Sequence, residues 1–312
     1  FLIVYILNLQ NNMNLFKKLF GGSIDNAESQ KLSEDMRNFD VYKYEGVKAL
    51  KTGQVTNALQ CFEKALEIKP ELELRDYYSQ ALIMNNKLVE AFAQLNIMSE
   101  AQPDNILIYM RMANVAYMME DYDAMTHACV EALRIDANNS EVNYIYARAS
   151  IGKNELIPAV ALLTKSIAAN DKYESAYLLR GETLLKMGDL KSAECDADWL
   201  ANNAENGEEV LLLRARIAKA KGENEKSLEL YNNVIEQNPF CIDAYKERGA
   251  LRLTLGDKEG AEEDMRQVLE LNPNGQNGIN GEFTAEGTEN IQQKVEKAYR
   301  SLDPYGIGGI GL

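Results

Sequence analysis

Two stretches of this chain are near copies of each other. 176-AYLLRGETLLKMGDLKSAECD-196 and 244-AYKERGALRLTLGDKEGAEED-264 agree at Tyr177/Tyr245, Arg180/Arg248, Gly181/Gly249, Gly188/Gly256, Asp189/Asp257 and Ala193/Ala261, each pair 68 residues apart. A catalytic motif needs to occur once, whereas a building block recurs. Half of that offset, 34, also works. Pro70, Pro103, Pro239 and Pro273 stand 33, 136 and 34 residues apart, and 136 is four steps of 34. The intermediate closing positions are Ala137, Asp171 and Glu205, so proline is absent there while the register holds. A fixed period of this size marks a repeat array, and it limits the possible folds more than any bulk property does.

The period divides the chain into seven units: 39–71, 72–105, 106–139, 140–173, 174–207, 208–241 and 242–275. Each reads as a helix, a short turn and a second helix. The eighth place is small (Gly46, Ala113, Ala147, Gly181, Ala215, Gly249), which lets helices approach closely. The fourth place is tyrosine in Tyr42, Tyr109, Tyr177 and Tyr245 and fills space against a neighbouring helix. The twentieth place is alanine in five units (Ala58, Ala91, Ala159, Ala193, Ala261). The fifteenth holds Gly53, Gly188, Gly222 and Gly256, or Asn86 and Asn154, the residues that most easily turn left-handed after a helix. Glu120 occupies that place in the third unit, and a different turn is expected there. Asp189 and Asp257 follow the turn and are placed to cap the second helix. Pro158 is tolerable only in the first turn of its helix. Arg75, Ser79 and Ser227 depart from the pattern and read as local repacking.

These positions together resemble the tetratricopeptide repeat family over residues 39 to 275, as found in bacterial multi-repeat members. Unit one carries Tyr42, Gly46, Gly53, Ala58, Phe62, Ala65 and Pro70, and unit seven keeps Tyr245, Gly249, Gly256, Ala261 and Pro273. The resemblance implies an all-α fold, a right-handed α-solenoid of about seven helix–turn–helix repeats whose first helices line a concave channel. It also implies a non-enzymatic scaffold or adaptor that binds a peptide or protein there. By the family's pattern the fifth, ninth and twelfth places face the channel. The expected groove residues are therefore Met110, Asn114 and Tyr117, then Tyr144, Arg148 and Ile151, then Glu182 and Leu185, then Arg216 and Lys219. Tyrosine and arginine are common binding anchors, and an arginine can take a carboxylate through two nitrogens. Some family members clamp a chaperone's C-terminal carboxylate. Here Lys43 fits the first clamp place, but Val47 replaces the asparagine and the later places diverge, so that activity is not expected.

Other chemistry finds little to stand on. With 48 acidic residues against 33 basic, the chain lacks the basic face that nucleic-acid binding needs. His127 is the sole histidine; it has no nucleophile or metal partner at a useful spacing. The stretch 136-DANNSEVNYIYA-147 has oxygens at alternate places, as in a calcium loop, yet Glu141 stands where glycine is required and Ala147 where the closing glutamate is required. It is read as the turn between units. Cys61, Cys129, Cys195 and Cys241 are scattered and read as reduced thiols, consistent with a cytoplasmic chain that needs no cofactor or metal.

The ends carry further expectations. Residues 1–38 are read as a leader or linker. The run 1-FLIVYIL-7 is either the remnant of a signal or anchor, which would make the chain periplasmic or membrane-associated, or it lies upstream of a true start at Met13. 13-MNLFKKLFGG-22 looks like a bacterial N-terminus, and residues 1–20 offer a possible membrane contact through apolar side chains around Lys17 and Lys18. After the repeats, 276–312 is read as a loop, a capping helix with Ile291, Val295, Tyr299 and Leu302 on one face, and a glycine-rich tail.

Overall fold

A computed structural model describes residues 24–204 and 207–272 of the chain. The expected Met13 start, the apolar contact through residues 1–20 and the loop, capping helix and tail of 276–312 lie outside the described residues. Within them the fold is all-α, an α-solenoid of helix–turn–helix repeats built from fourteen helices. They are α1 (Ile24–Lys51), α2 (Val55–Ile68), α3 (Leu72–Met84), α4 (Leu88–Ala101), α5 (Ile106–Met118), α6 (Tyr122–Ile135) and α7 (Ser140–Gly152). They continue with α8 (Leu156–Ala169), α9 (Glu174–Lys186), α10 (Leu190–Asn203), α11 (Glu208–Ala220), α12 (Asn224–Gln237), α13 (Ile242–Thr254) and α14 (Lys258–Leu271). The chain divides after Ile135 into two compact units. In each, a helix packs on its hairpin partner and then on the next hairpin.

The hairpins form for reasons visible residue by residue. In α2, Ala58, Leu59, Phe62 and Ala65 are buried, an apolar stripe at helical spacing. All seven fifteenth places are left-handed: Gly53, Gly188, Gly222 and Gly256, and also Asn86, Glu120 and Asn154 at φ of 57°, 56° and 59°. The different turn expected at Glu120 is therefore wrong. The hairpin geometry overrides the local preference of the side chain. Asp121 next to it accepts from the Ala124 N–H, just as Asp189 caps Ser192 and Asp257 caps Gly260. The Ser192 hydroxyl first, and then its N–H, hold the Asp189 carboxyl below its ordinary range. Pro158 is the third residue of α8, within its first turn.

Close approach accounts for the small eighth place. A Cβ on Gly46 would lie 2.5 Å from the Phe62 ring, in the second helix of the same hairpin. At Gly181 the nearest atom would be Leu213 Cδ2, 2.9 Å away, in the first helix of the following hairpin. The small residue thus serves two different seams. Where the pattern departs, hydrogen bonds replace it. Ser227 is fully buried and its hydroxyl donates to the Ala215 carbonyl at 2.9 Å. Ser79 donates to the Asp76 carbonyl and accepts from Arg111, and Arg75 donates to Gln94 at 2.6 Å.

The recurrent arginine has a structural partner. Arg180 donates from Nε and Nη2 to the two oxygens of Asp196 at 2.9 and 2.6 Å. Arg248 repeats this with Asp264 at 3.1 and 2.5 Å, and Arg252 adds a bond to the same carboxylate at 3.0 Å. Both aspartates are buried. Donating to Asp196 raises the Arg180 pKa further. Each pair ties the first helix of a hairpin to its second, and each closes the duplicated stretch at its last residue.

Helix α1 runs 28 residues and begins well before the expected start of unit one at 39. Phe39 is buried against the first hairpin, whereas Leu32 and Met36 upstream of it are exposed.

Candidate peptide-binding face

The first helices of residues 24–135 are α1, α3 and α5, and ion pairs lace them along one face. Lys43 on α1 reaches Glu73 at 2.5 Å and Glu71 at 3.3 Å, at the start of α3. Arg111 on α5 pairs with Asp76 on α3 and donates to the Ser79 hydroxyl at 2.8 Å. The hydrogen bond that Lys43 donates to Glu73 outweighs partial desolvation and raises the Lys43 pKa. Lys43 is therefore engaged within the chain, which removes the one residue that fitted the carboxylate-clamp pattern.

Below this laced end, one helical turn at a time, the same face mixes amide and apolar side chains. On α3 it continues through Gln80, Ile83 and Met84; on α5 through Asn114, Tyr117 and Met118; on α1 through Val47 and Leu50. Met84, Tyr117 and Met118 are 58%, 39% and 50% exposed. Of the expected groove residues here, Asn114 and Tyr117 are exposed and Met110 is half-buried. Met84 and Met118 were not among the residues expected from the sequence. They occupy the thirteenth place, one step past the last position that the family pattern assigns to the channel.

In residues 136–272 the first helices are α7, α9, α11 and α13. Tyr144 is half-buried, with its ring 5.2 Å from that of Tyr173 and tilted by 48°. The Arg148 guanidinium lies 5.9 Å from the Tyr144 ring centre, within cation–π range. Burial pushes the Tyr173 phenol up to about 12, so it stays protonated at neutral pH. Ile151 is half-buried, Lys219 is exposed, and Leu185 is buried in the core rather than facing outward.

Arg216 is expected as a groove residue that takes a carboxylate, and the carboxylate its guanidinium meets in the structure is Glu247 of the next hairpin. Nε lies 3.0 and 2.9 Å from the two Glu247 oxygens, Nη2 lies 2.7 Å from Oε1, and the Glu182 carboxylate is 3.7 Å from Nη1. The Tyr231 hydroxyl donates to the same Glu247 at 3.0 Å. Arg216 retains 14% of its side-chain exposure. Burial raises the Glu182 pKa, opposed by Arg216. Glu247 sits at the sixth place of its unit, 31 residues from Arg216. An i to i+31 opposite-charge pair in a 34-residue array is the sequence signal that would have found it.

The candidate chemical alternatives have structural roles. Asp136 accepts from the Asn138 N–H and the Asn139 side chain, and Asn139 caps α7, so this stretch is a turn between hairpins. His127 is exposed on α6, and Cys129 beside it is buried with its thiol pushed up to about 12. Cys61, Cys129, Cys195 and Cys241 are all unpaired.

Comparison with known proteins agrees with this architecture. Models of the tetratricopeptide repeat match residues 49–72 and 212–275. No curated protein sequence matches the chain. Among solved structures, a tetratricopeptide repeat protein from Parabacteroides merdae ATCC 43184 superposes with a TM-score of 0.65 at 15% identity, over 85% of this chain and 99% of that one. PilW, a type IV pilus biogenesis factor, gives 0.57 at 18% identity over 65% of this chain and 94% of its own. PilF of Pseudomonas aeruginosa gives 0.52 at 19% identity over 66% and 94%. At these identities the likeness is one of fold. Seven left-handed turns in register, the small residues at the helix crossings and the matched repeat models lead to one reading: the chain folds as an α-solenoid and carries tetratricopeptide repeats in the segments that the models match.

Proposed function

We propose that this protein is a non-enzymatic interaction scaffold that holds a peptide or protein partner on the face built by its first helices. The observation that carries this reading is the stripe of large, exposed side chains on α3 and α5. Met84, Tyr117 and Met118 are exposed on helices whose other faces supply the core residues Leu74, Leu82, Met112 and Val115. In residues 136–272, Tyr144 and Arg148 are the anchors of the same reading. Arg216 is left out of it, because Glu247 holds its guanidinium. The reading includes a cytoplasmic location, in keeping with four unpaired cysteines.

The test is affinity capture from the native cell with the full chain as bait. Tyr117→Ala together with Asn114→Ala, and separately Tyr144→Ala together with Arg148→Ala, should lower partner recovery while leaving helicity unchanged. Equal recovery by wild type and both variants would remove the reading.

A membrane-associated assembly factor anchored through residues 1–20 is a second reading. It is favoured by the fold shared with two pilus proteins, one of them a biogenesis factor. No helix among the described residues is long and apolar enough to cross a membrane. Mass-spectrometric mapping of the mature N-terminus, combined with cell fractionation, separates the two readings. A chain that starts at Met13 and stays out of the membrane fraction removes the second.

A further inference from the structure

We infer that residues 136–272 flex at one seam, between the hairpin α9–α10 and the hairpin α11–α12, because the arginine contacts that fix the seams on either side are missing there. The use of this joint, setting the span of the groove, rests on the scaffold reading above; the joint itself does not.

The seventh place of the unit is arginine three times in succession, at Arg180, Arg214 and Arg248. Two of them are held in the same way. Asp196 and Asp264, each 16 residues on, accept from Nε and Nη2 and so fix the plane of the guanidinium. Nη1 then donates to the preceding hairpin, Arg180 to Thr164 at 3.1 Å and Arg248 to Asn232 at 2.6 Å. One side chain thus ties its own hairpin together and ties it to the one before. Arg214 has no such carboxylate, because the buried Leu230 stands where Asp196 and Asp264 stand. Asp198 holds the place of Thr164 and Asn232. With nothing to orient its guanidinium, Arg214 makes no hydrogen bond or ion pair with Asp198 or any other group among the described residues. The two side chains instead line a void of about 20 Å³ at this seam, with Ile217 and Ala218.

What crosses this seam is of another kind. Val210, Leu213 and Ile217 of α11 are buried in one cluster with Tyr177, Leu184 and Leu200 of the preceding hairpin. Apolar contact resists separation but has no preferred direction, so packed helices can still slide by small amounts. Two charged contacts cross as well. Lys221 meets Glu194 at 2.7 Å at the surface, through a flexible stem that follows a shift. Arg216 stands 3.7 Å from Glu182, past hydrogen-bond reach. The following seam is held by directional bonds. Arg216 reaches Glu247 through Nε and Nη2, Tyr231 donates to the same carboxylate, and Arg248 adds its bond to Asn232. Helices α11–α14 therefore move as one block and α7–α10 as the other. A slide between them changes the spacing from Tyr144 and Arg148 to Arg216 and Lys219, and with it the span over which a partner's side chains are held.

Methyl relaxation dispersion on the full chain, which reads exchange on the microsecond-to-millisecond scale, is the test. Val210, Leu213 and Ile217 should show dispersion. Leu163 and Ile167 on α8, and Val234 and Leu251 across the following seam, should show none. Leu230→Asp offers Arg214 the carboxylate that its two counterparts have, and the dispersion at Val210, Leu213 and Ile217 should then be lost. Flat profiles at those three residues in the wild type overturn the inference. So does dispersion of equal amplitude at the flanking seams, and so does dispersion that persists in the folded Leu230→Asp variant. If that variant does not fold, the contrast between seams in the wild type decides alone. No partner is present in the measurement, so a negative result leaves the scaffold reading to the capture experiment.

Discussion

Glu120 holds its backbone at φ 56°, a region where an L side chain crowds the following carbonyl oxygen. Glycine stands at the same place in four other hairpins and asparagine in two, and both reach that conformation with less strain. The penalty for an ordinary residue is about 1–2 kcal/mol, partly offset by the greater freedom that glycine gives the unfolded chain. Glu120→Gly should therefore stabilise the protein, by about 0.5–1 kcal/mol, read as a higher urea midpoint with an unchanged slope. An unchanged or lower midpoint would show that the Glu120 side chain contributes something its turn geometry does not reveal. A sharper contrast lies between two glycines of the eighth place. Alanine gains about 1 kcal/mol over glycine in a helix interior through propensity alone. At Gly46 the new methyl meets the ring of Phe62, which is fully buried and has nowhere to go. At Gly181 it meets, at 2.9 Å, one terminal methyl of Leu213, the end of a side chain that is also buried but has only to shift a few tenths of an ångström, where the Phe62 ring presents two atoms at 2.5 and 2.7 Å. Gly181→Ala should be close to neutral, whereas Gly46→Ala should lose about 1–2 kcal/mol net of that gain. The same urea titration ranks them, and a reversed order would refute the packing account.

At the scale of the helix pair, the duplicated stretches show how much was legible and why the rest was not. The period, the turn glycines and the capping aspartates Asp189 and Asp257 were readable because each acts within a few residues of itself. Arg180 and Arg248 were visible as recurrent but had no assigned role, since their partners sit 16 residues away on another helix. Glu247, the partner of Arg216, was hidden for the same reason, at a separation of 31 residues. A single sequence records which residues recur but not which side chains meet, and ion pairs between helices are decided by packing geometry. The Met84 and Met118 stripe escaped because exposure, unlike periodicity, depends on what the neighbouring hairpin covers. The Arg248–Asp264–Arg252 group gives a test at this scale. Asp264 is fully buried and accepts from two arginines. Asp264→Ala takes the shared carboxylate from two half-buried cations, leaving Arg248 only Asn232 and Arg252 only Asp257 and the Gly260 carbonyl, and should lose about 3 kcal/mol. Arg248→Met with Arg252→Met and Asp264→Leu removes the stranded charge and should recover most of that loss. If the triple variant is no more stable than Asp264→Ala alone, the site is held by packing and not by charge balance.

Across the molecule, stability in a repeat array is a sum over hairpins and the seams between them, since each hairpin touches only its neighbours. Residues 24–135 contain three hairpins and so two internal seams; residues 136–272 contain four hairpins and three seams. Three stacked hairpins are about the least that can bury a continuous core. The division after Ile135 should therefore be a place where the chain can be cut without loss of either half's helicity. Expressed separately, 24–135 and 136–275 should each give a helical far-ultraviolet spectrum and a cooperative thermal transition. The C-terminal fragment should melt at the higher temperature, because it keeps one more seam and the Arg180–Asp196, Arg216–Glu247 and Arg248–Asp264 pairs stay whole within it. A fragment 24–135 that melts above its partner would mean that the apolar packing around Phe62, Leu82 and Leu95 outweighs the number of seams. A fragment that fails to fold would mean that the hairpins on either side of Ile135 depend on each other, and the additive description of this array would have to be abandoned.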